Sequence, residues 1–295
     1  MEPITFLNRY TNSTETEQVY GESFLKWAYA NPLGKIALHS FVKRPFFSKW
    51  YGQRMDSPKT KEKIAPFIEQ YQMNADEFLD SPDSYQHFND FFYRKLKPEA
   101  RPIADSDLVF PADGRHLGFQ NAEKVSGVFI KGQQWDLRAL INHDRLYDQF
   151  KNGSLVLSRL CPVDYHRFHF PCDGTPTEAR LINGPLFSVS PIALRQNLSY
   201  MWQNKRTCTI LETPNLGRVL ILEIGATCVG SIHQTYQAHS PVSKGDEKGY
   251  FAFGGSSTIT IFQEGKVQLA DDLLTHSSQQ QELYAKMGDV MGTSV

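Results

Sequence analysis

Three side chains of the 295-residue chain, met in the order Asp113, His169 and Ser256, supply an acid, a base and a nucleophile. A serine hydroxyl is a weak nucleophile until an imidazole takes its proton, and a carboxylate keeps that imidazole in the useful tautomer. The order alone is common in a chain of this length, so the surroundings of each residue must carry the reading. Ser256 lies in Gly254-Gly255-Ser256-Ser257-Thr258, between the aromatic Tyr250-Phe251-Ala252-Phe253 and the alternating Thr258-Ile259-Thr260-Ile261-Phe262. Two residues without side chains between strand-like runs predict a bend, at which the Ser256 hydroxyl can approach the carbonyl before it. Read by itself, the junction is a tight turn or a bulge.

Asp113 stands in the turn Pro111-Ala112-Asp113-Gly114, where an aspartate ordinarily caps its own backbone. His169 belongs to Asp164-Tyr165-His166-Arg167-Phe168-His169-Phe170-Pro171. His166 and His169 have a spacing seen in metal sites, but no third ligand stands at a recognisable distance, so no metal is expected. Singly, each reads as a structural histidine.

The elements that must position these residues change character along the chain. Residues 1 to 20 are polar, and Thr11-Asn12-Ser13-Thr14-Glu15 reads as loose surface chain. From Phe24 to Tyr51, aromatic and aliphatic residues alternate with Lys26, Lys35, Lys43, Arg44 and Lys49, and Pro32 and Pro45 divide the stretch into short helices. A basic, aromatic, amphipathic segment of this kind lies either in a membrane interface or on the protein's own core. Ser57-Pro58 predicts a capped helix through Ile64, Phe67, Ile68 and Tyr71, and another helix is expected from Asp83 to Leu96, stopping before Pro98.

After Arg101-Pro102 the pattern is of strands and turns: Leu108 to Phe110, Val128 to Ile130, Leu155 to Leu157, Thr207 to Leu211, Arg218 to Ile224 and Thr258 to Phe262. No regular helix alternates with them, which argues against a doubly wound parallel sheet. The expected class is α+β: a mostly antiparallel, barrel- or sandwich-like β core (99–295) carrying a helical N-terminal region (1–98).

Composition excludes several functions. The 31 basic and 32 acidic residues nearly cancel, which argues against a general nucleic-acid binder. Cys161, Cys172, Cys208 and Cys228 form no Cys-x-x-Cys pair and read as reduced core thiols. Neither a secretory signal nor an 18-residue apolar run is visible, so the chain is expected on the cytoplasmic side without a spanning helix.

Taken together, Pro111-Ala112-Asp113-Gly114, the Asp164 to Pro171 stretch and Gly225-Ala226-Thr227-Cys228-Val229-Gly230-Ser231-Ile232 resemble phosphatidylserine decarboxylases. Lys244-Gly245-Asp246-Glu247 with Gly249, and Phe253-Gly254-Gly255-Ser256-Ser257, complete the likeness. The likeness spans roughly residues 100 to 265. Many members carry Leu-Gly-Ser-Thr at the last motif; the Gly-Gly-Ser-Ser found here leaves the reactive Gly-Ser pair intact.

The resemblance implies a proenzyme that cuts itself between Gly255 and Ser256, into chains 1–255 and 256–295. Asp113, His169 and Ser256 form the self-cleavage triad, and Ser256 becomes a covalent pyruvoyl (pyruvate) cofactor. That group forms a Schiff base with phosphatidylserine, accepts electrons as carbon dioxide leaves, and releases phosphatidylethanolamine. His166 is the expected proton donor, a role that requires a bend at Arg167-Phe168 because residues three apart on a strand face opposite ways. The resemblance further implies a peripheral enzyme on the cytoplasmic side of the cell membrane and a homodimer of processed protomers. It also favours an interfacial role for the Phe24–Arg54 segment. The rival readings are a serine hydrolase using Asp113, His169 and Ser256, and a non-catalytic β module that binds a ligand. Against the hydrolase, Ser256 lacks a Gly-x-Ser-x-Gly elbow.

Overall fold

The alternating run that starts at Ser256 becomes a central strand. A computed structural model describes residues 3–125, 135–227, 231–253 and 256–295. A hairpin, β1 (Thr5–Asn8) and β2 (Ser13–Thr16), precedes the helical layer of α1 (Glu22–Ala30), α2 (Pro32–Ala37), α3 (Pro45–Met55), α4 (Ile64–Gln70) and α5 (Phe88–Phe92). The next elements are β3 (Leu108–Val109), β4 (Gly114–Phe119), α6 (Leu137–Ile141), α7 (Asp144–Phe150), β5 (Leu155–Leu160) and β6 (Arg167–His169). They lead to β7 (Thr175–Pro176), β8 (Arg180–Ile182), α8 (Pro191–Leu194), α9 (Tyr200–Gln203), β9 (Arg206–Glu212) and β10 (Arg218–Ile224). The chain ends with β11 (Ile232–Gln234), β12 (Glu247–Phe251), β13 (Ser256–Phe262), β14 (Val267–Leu269), α10 (Asp271–Ser278), β15 (Glu282–Ala285) and β16 (Val290–Ser294).

Among the described residues the main sheet has ten strands, in the order β2-β1-β15-β4-β5-β13-β10-β9-β7, with β8 also on β9. Its pairings are antiparallel except β1 with β15. The order does not return on itself as a closed barrel. Two small sheets, β11-β12-β6 and β14-β16-β3, accompany it. The fold is therefore α+β, with a largely antiparallel core.

Side-chain alternation divides the central strands between two cores. Ile259 and Ile261 join Leu157, Leu220 and Leu222 on one face, whereas Phe262 joins Val156, Val219 and Ile221 on the other. Ser256, Thr258 and Thr260 share the Phe262 face. At the Ser256 end that face is covered by the small sheet, because Leu160, paired with Ser256, packs against Phe168 of β6 and Phe251 of β12.

Several sequence expectations change. Thr11 to Glu15 is not loose chain: it forms the turn and second strand of the hairpin, and β1 buries Phe6 and Leu7 while bonding to β15. Ser57 makes no side-chain cap, and Pro58–Lys63 is a 3-10 helix leading into α4. The helix expected from Asp83 to Leu96 is reduced to α5, capped by His87, because Leu96 pairs with Phe78 in an isolated bridge. Pro32 divides α1 from α2 as expected, helped by Asn31, whose side chain accepts from Leu33 N at 2.9 Å. Val128 to Ile130 and Cys228 lie outside the described residues; Cys161, Cys172 and Cys208 are buried free thiols.

Candidate active site

Ser256 is the first residue of β13, fully buried, and its hydroxyl has no hydrogen-bond partner among the described residues. The strand before it, β12, belongs to the small sheet and β13 to the main one, so the chain changes sheets between Phe251 and Ser256. Gly254 and Gly255, where the sequence predicts the bend and the cut, lie outside the described residues. The upstream side is gripped by the helical layer. Asn89 Oδ1 accepts from Phe253 N at 2.9 Å, and the Phe253 ring packs on Phe92 (4.9 Å between centroids) and Phe88 (5.4 Å).

Asp113 immediately precedes β4, which is separated from β13 only by β5. Gly114 is required there by close approach: a Cβ would fall 2.5 Å from the Arg159 carbonyl oxygen of β5. The Asp113 carboxylate is held by Arg101, through Nε at 2.8 and 3.0 Å and Nη2 at 2.5 Å, and accepts from Met287 N at 2.9 Å. It makes no hydrogen bond to His169. The two are nonetheless neighbours, since His169 N donates to the carbonyl of Pro111 at 2.7 Å and the Asp113 charge acts on the imidazole.

His169 is buried, and its Nδ1 has no partner among the described residues. Burial pushes its pKa down to about 4, against the opposing pull of Glu247 and Asp113, so the ring is a neutral base at pH 7. In β6 it alternates with Phe168, and Phe168 is the residue packed over Leu160. His166 precedes the strand. Its Nε2 lies 2.9 Å from the Cys161 carbonyl, and its ring stacks on Phe92 at 3.9 Å. Burial, with the Arg94 charge adding to it, pushes His166 down to about 3. His166 is therefore also neutral, and any proton it gives up comes from a neutral ring or follows proton uptake. The Phe92 ring touches both His166 and Phe253, which brings His166 towards the upstream side of the junction.

Other motif residues hold the frame. Asp164 accepts from Arg115 at 2.5 Å and from Cys161 N at 2.6 Å, fixing the turn between β5 and β6. Arg167 donates to both oxygens of Glu247 at 2.8 Å and to the Tyr93 carbonyl, joining β6, β12 and the helical layer. Sequence reasoning missed Arg101, Asn89 and Phe92. Arg101 was visible only as part of a boundary dipeptide, and nothing local marks the other two.

Beside this junction lies an apolar cavity of about 590 Å³, walled by Phe24, Phe47, Trp50 and Tyr51 from the helices and by Leu160 and Phe253. Leu160 is the residue opposite Ser256.

The fold and site define a class: α+β proteins with a buried serine opening a central strand where the chain crosses between sheets, and with two buried, neutral histidines and a buried carboxylate elsewhere in the same β core. The phosphatidylserine decarboxylase family model matches residues 88–293. The phosphatidylserine decarboxylase proenzyme of Fusobacterium nucleatum is 43% identical over 293 residues, covering 99% of this chain and 98% of that one. Proenzymes of the same name from Clostridium perfringens strain SM101 (42% identical; 98% of this chain, 99% of that one) and Clostridium tetani (43%; 98% of each) are similarly close. The chain belongs to the phosphatidylserine decarboxylase family.

Proposed function

We propose that this chain is a self-processing decarboxylase proenzyme that converts phosphatidylserine to phosphatidylethanolamine, its pyruvoyl group arising from Ser256 after a cut at Gly255–Ser256. The observation that carries the reading is the Ser256 hydroxyl at the start of β13, buried with no partner among the described residues, as are those of Ser257, Thr258 and Thr260 after it, in a family whose named relatives are proenzymes. A buried hydroxyl without a partner is costly in a purely structural role. His169, neutral at pH 7, has the right form to take its proton, and the Arg101-held Asp113 carboxylate favours the imidazolium that results. A pyruvoyl group supplies an electron sink for loss of carbon dioxide from an amino-acid carboxylate. This chain's part is to bury that position, exclude water with Phe168, Phe251 and Phe253, and offer His166 as the candidate proton carrier.

The apolar cavity suits acyl chains, and its helical walls carry exposed Phe24 and Trp50. We assign the helical layer to a membrane surface on the cytoplasmic side, with the processed protomers as a homodimer. No helix among the described residues is long and apolar enough to cross a membrane. The relatives' names favour neither a serine hydrolase nor a non-catalytic module.

Intact mass under denaturing conditions tests the proposal. Processing yields chains of 255 and 295 − 255 = 40 residues, the shorter one lighter than its encoded peptide by the difference between serine and pyruvoyl. Ser256→Ala abolishes both the cut and the deficit. A wild-type chain that stays whole and is inert on phosphatidylserine vesicles overturns the assignment.

A further inference from the structure

Lys248 and Glu223 are both 0% exposed, with Nζ and Oε1 2.8 Å apart. Lys248 is the extra residue of a bulge: Glu247 pairs with His169 and Gly249 with Phe168, which leaves Lys248 without an opposite number in β6. A bulge re-aims a side chain. Here the ammonium lies 5.0 Å from the centre of the Tyr236 ring and donates to Gln234 Oε1 at 2.8 Å, beside its ion pair with Glu223. The register is locked beside it, because a Cβ on Gly249 would lie 2.1 Å from the His233 carbonyl oxygen and 2.8 Å from the Phe168 ring.

Glu223 completes the connection. Its second oxygen accepts from Thr207 at 2.5 Å and Gln234 at 3.0 Å. Across β10 and β13 it stands opposite Thr258, the inward-facing residue next after Ser256. A buried ion pair is a poor source of stability compared with packed apolar side chains, but it can specify one arrangement.

We propose that Lys248 and Glu223 are positioning residues for self-cleavage: they tie β12, which enters the junction, to β10, the partner of the strand that leaves it. This rests on the self-processing reading. In that step the Ser256 oxygen bonds to the Gly255 carbonyl carbon, the Gly255–Ser256 C–N bond breaks, and the hydroxyl proton ends on the Ser256 nitrogen. Gly255 follows β12 and Ser256 opens β13, whose partner is β10, so the tie fixes the strands on either side of the reacting bond and its loss slows this acyl shift before any ester exists.

The test compares wild type, Lys248→Met, Glu223→Gln and the double variant, following cleavage by denaturing mass measurement and stability by denaturant unfolding. The single variants leave a buried charge unpaired and lose stability; the double variant recovers it. We expect the double variant still to cleave about 10- to 100-fold more slowly than wild type. Hydroxylamine, which cleaves esters, should leave that defect in place. A double variant that cleaves at the wild-type rate, does not fold, or is restored by hydroxylamine overturns the positioning role. A wild-type chain that stays whole in the same series instead overturns the self-processing reading itself.

Discussion

Arg101 grips Asp113 with two nitrogens, Nε at 2.8 Å and Nη2 at 2.5 Å, and Glu77 holds the third guanidinium nitrogen at 2.8 Å. The carboxylate assigned to the His169 imidazole is thus itself oriented by a cation from the segment that joins the helical layer to the β core. Arg101→Gln leaves a buried carboxylate short of its partner, at a cost of about 3–5 kcal/mol. We expect both lower stability in urea and slower self-cleavage. Native stability in this variant would mean that Asp113 finds other partners, and the pairing would then be incidental.

Ser256 invites the opposite expectation. Its hydroxyl is buried and bonds to nothing among the described residues, so Ser256→Ala discards an unsatisfied group rather than a bond. The variant should hold stability within about 1 kcal/mol of the uncut wild-type chain, or exceed it. Its processing should be absent. A loss of several kcal/mol would show that the serine has a structural role.

The two histidines make the pH dependence distinctive. An imidazole whose pKa falls on folding binds protons more readily in the unfolded chain. Stability present above the ordinary value of 6.5 is therefore lost as pH falls toward about 4 for His169 and about 3 for His166. Each adds a slope of ~1.4 kcal/mol per pH unit in that window. If His169 is the base, self-cleavage is level from pH 8 down through 6.5 and declines only as pH approaches 4. A half-maximal point near 6.5 would rule out the buried, neutral His169 as that base.

What the sequence shows and hides follows the range of the interactions. The Gly254-Gly255 pair predicts a bend; it lies outside the described residues, but the strands either side of it, β12 and β13, belong to different sheets, and such a pattern is local. Pro32 divides its helices for the same reason. By contrast, β1 lies beside β15 from the far end of the chain, so the polar composition around it reads as loose tail. The grip of Asn89 on Phe253 and the inward aim of Lys248 depend on contacts and register between distant segments, which no periodicity encodes. His166 and His169 are obvious as residue types, but their neutrality comes from burial that only the packed fold supplies.

The helical layer leaves Leu33, Ile36 and Phe41 outward, at 70, 64 and 60% exposed, whereas neighbouring Leu38 and Val42 are buried. The segment therefore satisfies its own core and still presents an apolar ridge, bordered in sequence by Lys35, Lys43 and Arg44. None of the three outward residues lines the cavity beside Ser256. Their burial in a bilayer interface offers about 1.5–3 kcal/mol each at most, enough for a large change in surface binding. We expect Leu33→Ser/Ile36→Ser/Phe41→Ser to process normally and to act normally on a short-chain, detergent-dispersed phosphatidylserine. On anionic vesicles its activity should fall by about tenfold or more. Equal loss on both substrates would place these residues in the catalytic frame instead, and no loss on either would remove the ridge from the path between bilayer and active site.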